Sequence, residues 1–141
     1  MHNRTLAADY LARATHRLAA LDVLYERGSW ADVVRESQEV VELALKSLLR
    51  FSAIEVPRVH DVSQILISES ERLPESVRAH IVELVDISRS LRRDRELAFY
   101  GSEDLTPSEF YGKPDAELAR AGARTVVAAV TAALGQQAST P

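Results

Sequence analysis

Apolar residues recur at steps of three and four along most of this 141-residue chain, and no stretch shows an alternating pattern. Leu6, Tyr10, Leu11, Ala14, Leu18, Leu21 and Tyr25 make one such stripe. Val34, Val41, Ala44, Leu45, Leu48 and Leu49 make a second. A period near 3.6 residues belongs to an α-helix with one face turned to a core, whereas a half-buried strand has a period of two. The chain therefore reads as all-α, an up-and-down antiparallel four-to-five-helix bundle with no internal repeat. Its length suits one domain with a real core, over residues 1–135, followed by a frayed tail at 136–141.

Glycine, proline and capping residues punctuate the pattern. The first helix is expected over about Thr5–Glu26, closed by Gly28 as a C′ residue, with Ser29 as the N-cap of the next. The second runs from Trp30 to about Phe51, and so short a connection makes the two an antiparallel pair. Pro57 disfavours helix at Val56, and Asp61 is placed to cap a third helix from Val62 to about Glu71. Pro74 suits the first turn of a fourth helix reaching about Phe99, which Gly101 stops. Thr106-Pro107-Ser108-Glu109 fits a single capped turn within the irregular 102–113 segment. Asp115 is then the expected cap of a last helix from Ala116 to about Leu134.

Composition narrows the function classes. Hydrophobic residues at 46% and charged residues at 27% are ordinary globular values and argue against disorder. The absence of cysteine removes disulfides, thiolate metal sites and cysteine nucleophiles. With 17 basic against 21 acidic residues the formal charge is −4, so contact with a polyanion has to come from a local basic patch. The charged N-terminus MHNRTLAADYLARATHRL has no apolar core of a signal peptide, and TVVAAVTAALGQQASTP is short and interrupted for a bilayer span. A cytoplasmic protein with no membrane partner is expected.

Few residues carry chemistry. His2, His16, His60 and His80 show no metal-ligand spacing, and neither a metal nor another cofactor is expected. His60 stands out because it sits with Asp61 where a loop enters a helix, an arrangement read first as loop anchoring and capping. There is no GxSxG elbow and no glycine-rich phosphate loop. Glu36, Glu39 and Glu42 read as solvated helix surface, with Lys46 an i+4 partner for Glu42. The strongest local anomaly is SRSLRRDRELAFYG, which places Arg89, Arg92, Arg93 and Arg95 within seven residues and Tyr100 soon after. Cations near a helix C-terminus are favoured by about 0.3–1 kcal/mol each, which accounts for part of this. Arginines followed by an aromatic are also what a phosphate-and-base contact requires. Residue types alone leave both readings open.

Four features in order resemble the HEPN family (higher eukaryote and prokaryote nucleotide-binding domains). ESQEVVELALKSLL, with Gln38, Glu42, Leu45 and Lys46, is similar to the family's second-helix pattern. VHDVSQIL supplies His60 and Asp61 where the family has a His-Asp helix start. An arginine-bearing stretch then ends the long fourth helix, and Pro107, Tyr111, Asp115 and Ala116 resemble the run before the last helix. Together these span nearly the whole chain. The resemblance implies a helical bundle that forms a homodimer. It implies a function among nucleotide- or RNA-binding modules and metal-independent ribonucleases, many of them toxins paired with a small nucleotidyltransferase antitoxin.

The family's nucleases carry an Arg, then four to six residues, then a His, and in some toxins a Tyr follows that a partner modifies. Here Arg93 falls on the Arg, Ala98 on the His and Tyr100 on the Tyr. Ala98 has no titratable group and does no acid–base work, and no histidine follows His80. The expectation is a nucleotide-, RNA- or partner-binding module using Arg89, Arg92, Arg93, Arg95 and Tyr100, without His-dependent ribonuclease activity. The alternative is a metal-independent endoribonuclease using Arg93 with Tyr100 or His60.

Overall fold

In a computed structural model the described residues form seven α-helices and one 3-10 turn. These are α1 (His2–Glu26), α2 (Trp30–Phe51), α3 (Val62–Ser68), the 3-10 turn Ser70–Arg72, α4 (Glu75–Arg78), α5 (Ile81–Tyr100), α6 (Pro107–Phe110) and α7 (Lys113–Ala138). The structure describes the backbone of residues 2–56, 58, 61–100 and 106–138, and the side chains of 3–56, 58, 61–92 and 106–135. No strand occurs among the described residues, so the all-α bundle expected from the periodicity is what forms.

The centre of the bundle is α2. Its buried residues run from Ala31 to Leu49 and include Val33, Val40 and Ser47 as well as the expected Val34–Leu49 line, so the buried face is broader than that line. It packs on α1, α5 and α7, with α3 and α6 lying against it more lightly. Polar residues at buried positions of such a helix need partners, and the Ser47 hydroxyl donates to the Ala7 carbonyl at 2.7 Å.

Paired contacts show that α1 runs antiparallel to α2. Ala7 meets Ser47, Arg17 bonds Glu36 at 3.1 Å, and Tyr25 sets its ring edge-on to Trp30 at 5.2 Å. Toward α7, Arg120 and Arg124 both bond Asp22, and the Arg120 guanidinium lies 3.7 Å from the centre of the Tyr25 ring. The Tyr25 hydroxyl donates to Glu117 at 2.6 Å, which raises it above the ordinary phenol range. The helix Lys113–Gly135 is long and apolar enough by composition to cross a membrane. Here Ala116, Ala119, Ala123, Val126, Val127, Val130 and Ala133 are buried and α7 packs against α2, as a core helix does. Where α7 passes α5 the approach is close: a Cβ on Gly122 would stand 3.1 Å from Ile87.

Several boundaries differ from the sequence expectation. α1 starts at His2 instead of Thr5. The third helix ends at Ser68, and a 3-10 turn takes the residues up to Arg72. A helix does follow Pro74, which is its N-cap residue and not part of its first turn, but α4 is one turn long and the chain re-aims at Ala79–His80 before α5. The reason is packing, since α4, with Val77 buried, lies against α7, whereas α5 lies mainly against α2 and α3 and touches α7 as well. Ser29 is the N-cap residue of α2, yet its hydroxyl donates to Asp32 at 2.6 Å instead of accepting a backbone N–H. α7 begins at Lys113 and runs through Ala138, beyond both expected ends. Asp115 caps it from inside the first turn, accepting the Gly112 N–H at 2.9 Å, one half of a capping box. Thr106 and Glu109 form the complete box at α6, as the sequence suggests.

Two helices close with the same hydrogen-bond pattern on different residues. After α1, Ser29 N–H donates to the Leu24 carbonyl and Gly28 N–H to that of Tyr25, with Gly28 at φ +71°. After α2, Ile54 N–H donates to Leu49 and Ala53 N–H to Arg50, with Ala53 at φ 58°. Both are Schellman turns, and the left-handed residue is a glycine in one and an alanine in the other. A side chain in that region costs about 1–2 kcal/mol, offset in part by the looser unfolded chain a glycine brings. We therefore expect Ala53→Gly to stabilise the fold by about 0.5–1 kcal/mol and Gly28→Ala to destabilise it by a similar amount. Thermal unfolding of the two variants should move in opposite directions, and a shared sign would contradict the assignment.

Candidate functional site

The start of α3 and the middle of α5 meet in one polar cluster. Asp61 is the N-cap of α3, and its Oδ1 accepts the Ser63 backbone N–H at 3.0 Å and the Ser63 hydroxyl at 2.8 Å. The same oxygen lies 3.1 Å from the Arg92 guanidinium of α5. Ser63 is fully buried, and its Oγ in turn accepts the Nε–H of Arg89 at 3.2 Å. One carboxylate thus fixes two arginines, Arg92 directly and Arg89 through a serine.

Electrostatics follow from this geometry. Partial burial pushes the Asp61 carboxyl up, but the two Ser63 hydrogen bonds and Arg92 outweigh it and hold the group below its usual range. The cluster carries two cations against one anion. Arg92 leaves half its side chain in solvent, at 53% exposure, and Arg89 is also exposed. Only Nε of Arg89 is engaged among the described residues. Paired guanidinium groups held in place with free N–H forks suit phosphate oxygens, which they bind two at a time.

Arg89 also borders a recess of about 340 Å³ between α3 and α5. Its walls are mostly apolar, with Ile67, Ile81, Val82 and Val85 beside Asp86. Val82 is 71% exposed, so this apolar surface opens directly to solvent. Among the described residues no group of three or more His, Asp or Glu gathers as metal ligands.

Of the residues singled out from sequence, the structure brings Arg89 and Arg92 together with Asp61. The side chains of Arg93, Arg95, Ala98 and Tyr100 lie outside the described residues, and so does His60. Ser63 was missed. Its signal was present as the second residue of the helix that Asp61 caps, where a hydroxyl meets the cap carboxylate, but its link to Arg89 spans 26 residues and leaves no local pattern.

A family model described as the HEPN domain matches residues 7–133, most of the chain. The chain belongs to the HEPN family. No characterised protein and no solved structure matches it. It is thus a helical module of the nucleotide- and RNA-related HEPN class.

The cluster generates a pH prediction. Because the folded-state acid strength of Asp61 is raised, its contribution to stability is fully present above the unfolded carboxylate's pKa near 3.9 and is lost as pH falls through the lower folded value. Asp61→Asn keeps a capping side chain and removes the charge. The variant should melt a few degrees below the wild type at neutral pH, for a loss of about 1 kcal/mol. That gap should close as the pH is lowered below about 4. A gap unchanged at low pH would show that the charge on Asp61 is irrelevant.

Proposed function

We propose that this HEPN chain is a binding module that takes the phosphate groups of a nucleotide or RNA on the arginine face of α5, works as a homodimer and lacks His-dependent ribonuclease activity. The observation that carries the binding reading is the Asp61–Ser63 clamp, which holds Arg89 and Arg92 with guanidinium groups turned to solvent. Ordering long cationic side chains before a ligand arrives lowers the entropy cost of binding. Arg93, Arg95 and Tyr100 continue the same sequence stretch and extend the expected contact. The apolar recess beside Arg89 offers a base or ribose a place next to a phosphate on the guanidinium.

The loss of nuclease activity rests on Ala98, which supplies no proton donor or acceptor where the family's nucleases have histidine. The alternative, a metal-independent endoribonuclease using Arg93 with Tyr100 or His60, draws support from one contact. Asp61, the residue after His60, is paired with Arg92, the residue before Arg93. The dimer reading draws on Leu118, 75% exposed, beside a mostly apolar groove of about 400 Å³ between α5 and α7. A second copy of the chain is the proposed occupant, and a small nucleotidyltransferase is the further protein partner that the family resemblance suggests.

Calorimetric titration with AMP and with a short single-stranded RNA tests the reading. The wild type should bind the RNA, and an Arg89→Ala/Arg92→Ala double variant should bind it at least tenfold more weakly, with a shallower salt dependence. Flat wild-type traces would overturn the binding reading. Sedimentation equilibrium on the same samples should give twice 15.6 kDa, and a clean 15.6 kDa species would exclude the dimer.

A further inference from the structure

A second cationic recess lies away from the α3–α5 cluster, at the C-terminal end of α2. It has a volume of about 290 Å³ and is lined by Tyr10 of α1, Lys46 and Arg50 of α2, and Val56 and Arg58 of the following connection. Three of its five walls are cations. Lys46 is held by Glu42 at 3.4 Å, and Glu42 also accepts the Gln38 side-chain amide at 3.2 Å. Neither Arg50 nor Arg58 has a carboxylate within ion-pair distance among the described residues.

Helix capping does not explain this gathering. The α2 carbonyls of Leu48, Leu49 and Arg50 are already met by the backbone N–H groups of Ser52, Ile54 and Ala53. Arg50 is nevertheless half-buried, a position that is costly for a cation without a counter-charge. Subtracting Glu42 from the three cations leaves two positive charges around the recess. A phosphate monoester carries about −1.5 to −2 at neutral pH and presents three acceptor oxygens. Two guanidinium forks, an ammonium and a phenol hydroxyl are the donors such a group needs. The volume lies just below the range of whole-ligand pockets, roughly 300–1,000 Å³, so the recess suits the phosphate while the rest of a ligand stays outside against Tyr10.

We infer that the Tyr10–Lys46–Arg50–Arg58 recess is a second anion site that takes a phosphate monoester, either a free phosphate or the terminal phosphate of a nucleotide. The inference concerns residues outside the α5 stretch and does not need that stretch to bind. It rests on the proposed function only for the suggestion that the phosphate comes from a nucleotide.

The test uses the full chain carrying Arg89→Gln and Arg92→Gln, labelled for amide NMR, so that the α5 cluster is weakened and the recess is read through its own amides. Inorganic phosphate, AMP and adenosine are titrated separately while the amides of Tyr10, Lys46 and Arg50 are followed. Phosphate and AMP should shift them saturably, and adenosine, which lacks the phosphate, should not. Adding Arg58→Gln, an exposed position, should weaken the response at least tenfold with unfolding temperature unchanged. Tighter binding of AMP than of phosphate would assign the site to a nucleotide, and equal binding to the phosphate group alone. No saturable shift, or an equal response in the Arg58→Gln variant, would overturn the site. Either result would leave the α5 reading standing, because that reading is measured on wild-type protein and its own double variant.

Discussion

Burial across a broad face of α2, wider than one neighbouring helix can cover, is the constraint from which the rest of the structure follows. A helix buried from Ala31 to Leu49 cannot satisfy its apolar surface with one neighbour, so α1, α5 and α7 must each lay a stripe against it. Those stripes fix how each outer helix is rotated. On α5 the inward positions are Leu84, Val85 and Leu91, which leaves Arg89 and Arg92 directed away from the core. The same requirement turns Tyr10, Lys46 and Arg50 to the rim where α1 begins and α2 ends. The groups proposed to bind are what remains on the outside once the core of α2 is satisfied.

Charge is organised locally within a chain whose overall sign is negative. The formal charge of −4 argues against broad polyanion binding, yet two clusters carry a cationic excess. In each, a single carboxylate holds cations in place: Asp61 for Arg92 and, through Ser63, Arg89, and Glu42 for Lys46. Isolated surface pairs of this kind contribute little to stability, typically under about 1 kcal/mol. Their consequence is positional, because a guanidinium already held on one side offers its remaining donors in a defined direction.

Much of this was legible in the sequence, and what was not has a physical cause. The end of α1 and both ends of α2 follow from Gly28, Ser29 and a strong apolar period, signals that are local and agree with one another. The Thr106 box and the Asp61 cap were legible for the same reason, since three or four residues make the whole motif. The break between α4 and α5 was not, because Pro74, Val77, Ile81 and Leu84 are compatible with one continuous helix and only the different neighbours of α4 and α5 force a turn. Asp115 was identified as a cap but placed outside the helix, since a carboxylate reaching back from the first turn has the same sequence signature as one standing before it. The candidate site was half legible. Arg89 and Arg92 were visible as a charge run and Asp61 as a cap, but their meeting depends on how α3 docks on α5. Arg58 and Arg50 gave no signal at all, because their shared recess is closed by three separate parts of the chain.

The proposed arginine face of α5 binds phosphate without breaking the chain it holds. Incubation of purified wild type, Arg93→Ala and Ala98→His with a mixed-sequence single-stranded RNA, without added metal, tests that claim directly. The account predicts intact RNA with the wild type, since position 98 has no group to move a proton, and any cleavage should appear only with Ala98→His. Cleavage by the wild type that disappears in Arg93→Ala would contradict it and establish a nuclease working without that histidine.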